Sequence, residues 1–177
     1  NKTIYGSIDL ESSKSISNRL LIIKELCKSQ FEIQNLSNAK DTKILNELLD
    51  SFNKRIDLNC EDAGTALRFL IAFLATKEGI WKVSGSKRMH ERPLKPLIYC
   101  LKELGAEIKY LEKEGFPPIE IKSKKLKSKK LSLPGDISSQ FISALLLVAP
   151  TIENGLTLEI TSKVLSKPYI AMTLGLM

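Results

Sequence analysis

The 177-residue sequence predicts an α/β fold built from repeats of one unit, and three observations carry that prediction. Apolar residues recur at helical spacing, short alternating runs follow them, and the order helix, strand, helix, strand keeps returning. In the first copy, Ile16, Leu20, Ile23 and Leu26 mark a helix starting near Ser15. "FEIQNL" then alternates like a strand, and Ile44, Leu45, Leu48 and Leu49 mark a second helix with Asp41 and Thr42 as its caps. In the second copy, Thr65 to Thr76 is an apolar helix pattern and "IWKVSG" a strand. "RPLKPLIYCLKELG" is a helix with Pro93 in its first turn and Gly105 as its stop. In the third, "ISSQFISALLLVAP" is a helix stopped by Pro150, "LTLEI" is a strand, and "KPYIAMTLGLM" begins another helix. The units fall at about 14–60, 61–133 and 134–177, the last truncated.

Each unit's first helix is apolar on most of its circumference. "LRFLIAFLA" and "FISALLLVA" have no wide face that water could cover, so these helices belong in the middle of a domain. If they run parallel, their N-termini meet at one end.

Composition sets outer limits. A hydrophobic fraction of 43% with 27% charged residues fits a soluble globular chain, and no run approaches the ~18 apolar residues of a membrane span. Cys27, Cys60 and Cys100 have neither disulfide-framework nor metal-ligand spacing, and no signal pattern opens the chain, so a reducing, cytoplasmic compartment is expected. The net charge of +7 suits acidic partners. The run "KSKKLKSKKL" lacks aromatic or glycine interleaving, so we read it as a solvated strand edge rather than a nucleic-acid platform.

The polar residues gather at the helix starts. A helix N-terminus presents unpaired N–H groups and a positive dipole end, which together hold phosphate or carboxylate. Lys14, Ser15, Ser17 and Arg19 open the first such helix, Asp62, Gly64, Thr65 and Arg68 the second, and Ser138, Ser139 and Gln140 the third. Singly, Ser15, Thr65 or Ser138 reads as an ordinary cap. Arg19 and Arg68 lie one turn into apolar helices, where a guanidinium needs either an anionic ligand or an internal acid such as Asp41 or Asp62. The loop "GSKRMHERPLKPL" adds Lys87, Arg88, His90, Glu91 and Arg92, with Arg92 placed to meet an anion. His90 is the only histidine and has no second ligand in pattern, so no metal is expected. "LSKPYI" brings Ser166, Lys167 and Tyr169 to the corresponding place in the third unit.

Five ordered segments, "SSKSISNRLLI", "EDAGTALRFL", "RMHERPLKPLIYCLKELGAEI", "GDISSQFISALLL" and "SKPYIAMTL", resemble the signatures of the 5-enolpyruvylshikimate-3-phosphate synthase family over nearly the whole chain. The sister family acting on UDP-N-acetylglucosamine does not combine this Lys-Ser pair with "SSQF" and "SKPYI". The resemblance implies two inside-out barrel domains, each of three βαβαββ units around buried parallel helices. It implies transfer of enolpyruvyl from phosphoenolpyruvate to the 5-hydroxyl of shikimate 3-phosphate, in the shikimate pathway to aromatic amino acids. No metal or organic cofactor is implied, and the expected state is a cytoplasmic monomer.

By the same resemblance, Lys14 is catalytic and touches both substrates. Shikimate 3-phosphate falls to Lys14, Ser15, Arg19, Ser138, Ser139, Gln140, Ser166 and Tyr169, and phosphoenolpyruvate to Lys14, Gly64, Arg92 and Gln140. Residues 1–13 are expected to form a crossover strand and hinge toward a second domain that this stretch lacks, and 14–177 one domain. On that reading the chain is a fragment carrying the shikimate 3-phosphate half-site, inactive alone; the alternative is a non-catalytic phosphate-ligand binding module. Three departures stand out. Asp62 replaces the usual asparagine before Ala-Gly-Thr and places a carboxylate near an anion, to be neutralised by an arginine such as Arg68 or turned toward the loop. Phe69 replaces the proline that frequently follows this arginine, which is expected to alter the first helical turn and the fit of phosphonate inhibitors such as glyphosate. The stretch before Lys14 lacks the common proline-glycine, which bears on hinge stiffness.

Overall fold

A computed structural model of the chain describes residues 5–27, 31–123 and 125–177. Residues 1–4 of the expected crossover strand and Lys124 of the basic run lie outside the described residues. In chain order come α1 (Lys14–Leu26), α2 (Lys40–Ser51), β1 (Asp57–Asn59), α3 (Gly64–Leu74), β2 (Gly79–Ser84) and α4 (Lys95–Glu103). Then follow β3 (Glu107–Tyr110), β4 (Ile119–Ser123), β5 (Lys130–Leu133), α5 (Ser139–Val148), β6 (Thr157–Ile160) and α6 (Lys167–Leu176).

Parallel strand pairs organise the chain, because such a pair needs a crossover element between its strands. β1 pairs in parallel with β2, Leu58 opposite Val83, and α3 is the crossover. β5 pairs in parallel with β6, Leu131 opposite Leu158, with α5 as the crossover. β4 runs antiparallel to β2 and to β3, giving the sheet order β1-β2-β4-β3. The stretch β1-α3-β2-α4-β3-β4 is therefore a complete βαβαββ unit, and it begins at Asp57 rather than at 61 because the leading strand is sealed to β2.

The apolar helices do sit at the centre. α1, α3 and α5 pack on one another, and every residue of α3 from Ala66 to Leu74 is buried. Phe52 meets Phe73 edge-on at 5.0 Å, and the Trp81 indole N–H donates to the Phe52 carbonyl at 2.9 Å. α4 ends in a Schellman turn: Gly105 takes φ +105°, its N–H donates to the Lys102 carbonyl, and the Ala106 N–H donates to Leu101.

Several local expectations fail for identifiable reasons. Residues 31–36 form no strand, because Asn35 at φ +54° turns the chain out of an extended path. Residues 5–13 are likewise irregular, with Tyr5, Ile8 and Leu10 each more than 80% exposed. α2 is preceded by Ala39 with no side-chain cap, and the Thr42 hydroxyl instead donates to Asn18 Oδ1 at 2.8 Å. In α4 the proline in the first turn is Pro96, and Pro93 lies in the approach.

Burial also sets thiol chemistry. It pushes the Cys60 thiol from 9.0 up to about 12, and burial with the nearby Glu103 charge pushes Cys100 up to about 11, whereas Cys27 is exposed. A thiol reagent at pH 8 should label Cys27 rapidly and the other two only on unfolding. Because both folded values are raised, the stability they contribute is complete below pH 9 and declines as pH climbs toward 11 and 12. Rapid labelling of all three thiols in the folded chain would contradict this.

Candidate active site

The crossover geometry places the starts of α3 and α5 just beyond the C-terminal ends of β1 and β5, where open α/β sheets hold ligands. α1 delivers its own N-terminus to the same place. Its cap is Ser13, whose Oγ accepts from the Ile16 N–H at 3.4 Å, which relieves Ser15 of the capping role. Ser17 is buried and accepts from the Ser37 N–H at 3.0 Å. Lys14, partly exposed, pairs with Asp41 Oδ2 at 3.4 Å.

Arg19 is 2% exposed and, among the described residues, has no acidic partner. Its Nε donates to Thr173 Oγ1 at 2.7 Å and its Nη1 to the Ser15 carbonyl at 2.8 Å. Nη2 donates to Ser143 Oγ at 3.1 Å and the Tyr169 carbonyl at 3.3 Å, and the guanidinium lies 5.3 Å from the Phe69 ring centre. The residue that replaces the family's proline thus becomes the apolar floor beneath Arg19. Burial lowers the Arg19 pKa, with Tyr169 opposing.

At the start of α3 the capping position is Ala63, so Thr65 is not a cap. Arg68 Nη1 donates to Gln140 Oε1 at 2.5 Å, and the guanidinium sits 4.9 Å from the Phe141 ring centre. Burial first, and the Arg92 charge second, pull Arg68 down to about 10, so it stays charged at neutral pH. Its Nε is buried with no hydrogen-bond partner among the described residues. Neither arginine uses the acids offered by the sequence. Asp62 accepts a hydrogen bond from the Ser86 hydroxyl, so its carboxylate turns toward the loop. Only Ser138 keeps the expected cap, its Oγ accepting from the Gln140 N–H at 3.4 Å.

Two cavities open over these helix starts. One, of about 320 Å³, is lined by Lys14, Ser15, Arg19 and Thr65 from α1 and α3, by Ser138, Ser139 and Gln140, and by Ser166 and Tyr169. The other, of about 250 Å³, is lined by Gly64, Arg68, Arg88, Met89 and Arg92, and also by Asp41 and Asp62. Lys14, Thr65 and Gln140 line both and so form a shared wall. The first cavity thus gathers all eight residues expected at shikimate 3-phosphate, and the second all four expected at phosphoenolpyruvate.

Sequence reasoning missed Asp41 as the partner of Lys14 and Met89 as a wall, since neither residue announces its orientation. Arg88 had a signal: it stands four residues before Arg92 across a single turn at Met89–Glu91. His90 points elsewhere, with Nδ1 3.5 Å from Glu112 Oε2. Among the described residues no cluster of three or more His, Cys, Asp or Glu could hold a metal ion, and no helix is long and apolar enough to cross a membrane.

The profile of the EPSP synthase (3-phosphoshikimate 1-carboxyvinyltransferase) family matches residues 50–177. A 3-phosphoshikimate 1-carboxyvinyltransferase of Bacteroides fragilis is 45% identical over 174 residues, spanning 98% of this chain and 42% of the relative. The enzyme of that name from Cellvibrio japonicus is 38% identical, with 97% and 46% covered. The chain therefore spans less than half the length of these curated relatives. A solved EPSP synthase structure from Acinetobacter baumannii superposes with a TM-score of 0.75 at 19% identity, over 84% of this chain and 38% of that one, which shows the same fold. Helix starts converging on a two-cavity cleft, the shared fold and the profile match lead to one assignment: the chain belongs to the EPSP synthase family.

Proposed function

We propose that this chain carries the shikimate 3-phosphate half-site, and part of the phosphoenolpyruvate site, of an enzyme transferring enolpyruvyl to the 5-hydroxyl of shikimate 3-phosphate. The observation that carries the proposal is the shared wall of Lys14, Thr65 and Gln140 between two cavities rich in donors. Overall, a new C–O bond forms from the 5-oxygen to the enol carbon of phosphoenolpyruvate, the C–O bond from that carbon to phosphate breaks, and the hydroxyl proton leaves with the released phosphate. Two polyanions must be held side by side while this happens, so most of the protein's work is positioning and charge compensation. Lys14 on the wall faces both ligands and offsets their repulsion where they meet. Ser138, Ser139, Ser166 and Tyr169 bind the 3-phosphate and ring, and Gly64 with Arg92 binds the other phosphate. Relatives more than twice as long support placing the remaining catalytic groups beyond these 177 residues, so turnover by this chain alone is not expected.

We further infer a cytoplasmic monomer that uses no metal and binds no nucleic acid. The lysine run supports the last point, because Lys122, Lys125, Lys129 and Lys130 each pair with a glutamate: Glu107, Glu153, Glu103 and Glu159. Such paired cations release few counterions to a polyanion. The test is an NMR titration of the chain with shikimate 3-phosphate. Saturable shifts at the starts of α1, α3 and α5 are expected. No shifts at millimolar ligand, in a chain shown to be folded, would overturn the half-site.

A further inference from the structure

The wall between the cavities is a hydrogen-bond chain with a direction. Arginine has only donors, so the Gln140 atom facing Arg68 Nη1 at 2.5 Å must be its carbonyl oxygen. That assignment turns the Gln140 amide nitrogen toward Thr65, and Nε2 donates to Thr65 Oγ1 at 3.0 Å. The Thr65 hydroxyl, having accepted, keeps its own proton to give, and Gln140 keeps its second N–H. Both residues line both cavities, so the chain ends in donors where an anion would sit. Had an acid stood in place of Arg68, the same amide would flip and offer its oxygen instead.

Arg68 itself is held for this task. It is 7% exposed, its guanidinium is held over the Phe141 ring, and its other hydrogen bonds go to the carbonyls of Gly64 at 3.5 Å and Pro93 at 3.4 Å. Among the described residues no carboxylate bonds to it, so its charge polarises the Gln140–Thr65 chain outward without being cancelled locally.

We propose that Arg68 is a positioning residue: through Gln140 it fixes the shared wall with hydrogens outward and so makes both cavities selective for anions. The inference rests on the half-site reading for its ligands, but the amide orientation stands on geometry alone. Its test uses four forms of the chain: wild type, Arg68→Met, Gln140→Ala and the double variant.

With inorganic phosphate as the probe, Arg68→Met should weaken binding about tenfold or more in the wild-type background and at most about twofold in the Gln140→Ala background. Equal losses in the two backgrounds would overturn the proposal, since Arg68 would then act by its charge directly. The Gln140 side-chain amide signals give a readout independent of ligand. In wild type they should be two sharp, well-dispersed resonances, collapsing toward the free-amide position in Arg68→Met; signals unchanged by that substitution would also overturn it. Absence of phosphate and shikimate 3-phosphate binding to wild type would instead defeat the half-site reading and leave the amide readout to decide this one. If Arg68→Met fails to fold, Gln140→Glu serves. Its carboxylate should pair with Arg68, raise the melting temperature and weaken phosphate binding, and phosphate binding at wild-type strength would count against the proposal.

Discussion

Arg19→Ala should lower the melting temperature by about 10 °C, the largest effect expected of any single substitution at the site. The change removes a buried side chain that ties α1 to α5 and α6 through Ser143, Thr173 and the Tyr169 carbonyl. A cavity and orphaned polar groups together cost about 3–5 kcal/mol, and for a domain of this size each kcal/mol shifts the melting temperature by about 2–4 °C. Among the described residues Arg19 has no acidic partner, so its charge carries an unrelieved burial cost, and Arg19→Met should cost about 2 kcal/mol less than the alanine by filling space without that charge. The two variants then part from wild type in the same way: shikimate 3-phosphate should stabilise wild type thermally and neither variant. An Arg19→Met chain that is still stabilised by the ligand would show that Arg19 is structural only.

Lys14→Met should do the reverse, leaving stability within about 1 kcal/mol while weakening both ligands. Its ion pair with Asp41 is partly exposed, and such pairs contribute about 0–1 kcal/mol. A charged hydrogen bond to a phosphate contributes about 1.5–3 kcal/mol, so losses of about tenfold to a hundredfold are expected for shikimate 3-phosphate and for inorganic phosphate alike. The comparison variants are Arg92→Met, on one cavity only, and Tyr169→Phe, on the other. Each should affect one ligand. A Lys14→Met chain that loses only one would remove Lys14 from the shared wall.

How much of this was legible in the sequence varied with the physics involved. The buried helices were legible because an all-round apolar face has few places to go, as "LRFLIAFLA" and "FISALLLVA" show. The cations and hydroxyls at the helix starts were legible because their types match the chemistry of a helix N-terminus. Which serine caps was not: Ser13, Ser15 and Ser17 are equivalent as letters, and the choice rests on where the chain enters α1. The strand expected at 31–36 alternates correctly but meets no partner, because Asn35 turns away. The partners of Arg19 lie up to 154 residues away and are hydroxyls and carbonyls rather than acids, a pairing no local pattern encodes. Asp62 was legible as a departure, and its resolution through Ser86 depended on a loop closing 24 residues later.

In the proposed half-site one cavity holds shikimate 3-phosphate and its neighbour is left for the second anion. A crystal structure of the chain with shikimate 3-phosphate would show both at once. The expected result places the 3-phosphate against Ser138 and Ser139 and the ring between Arg19 and Gln140, with the cavity at Arg88 and Arg92 open beside it. Ligand bound at Arg88 and Arg92, or on the lysines of 122–130, with the first cavity empty, would contradict it.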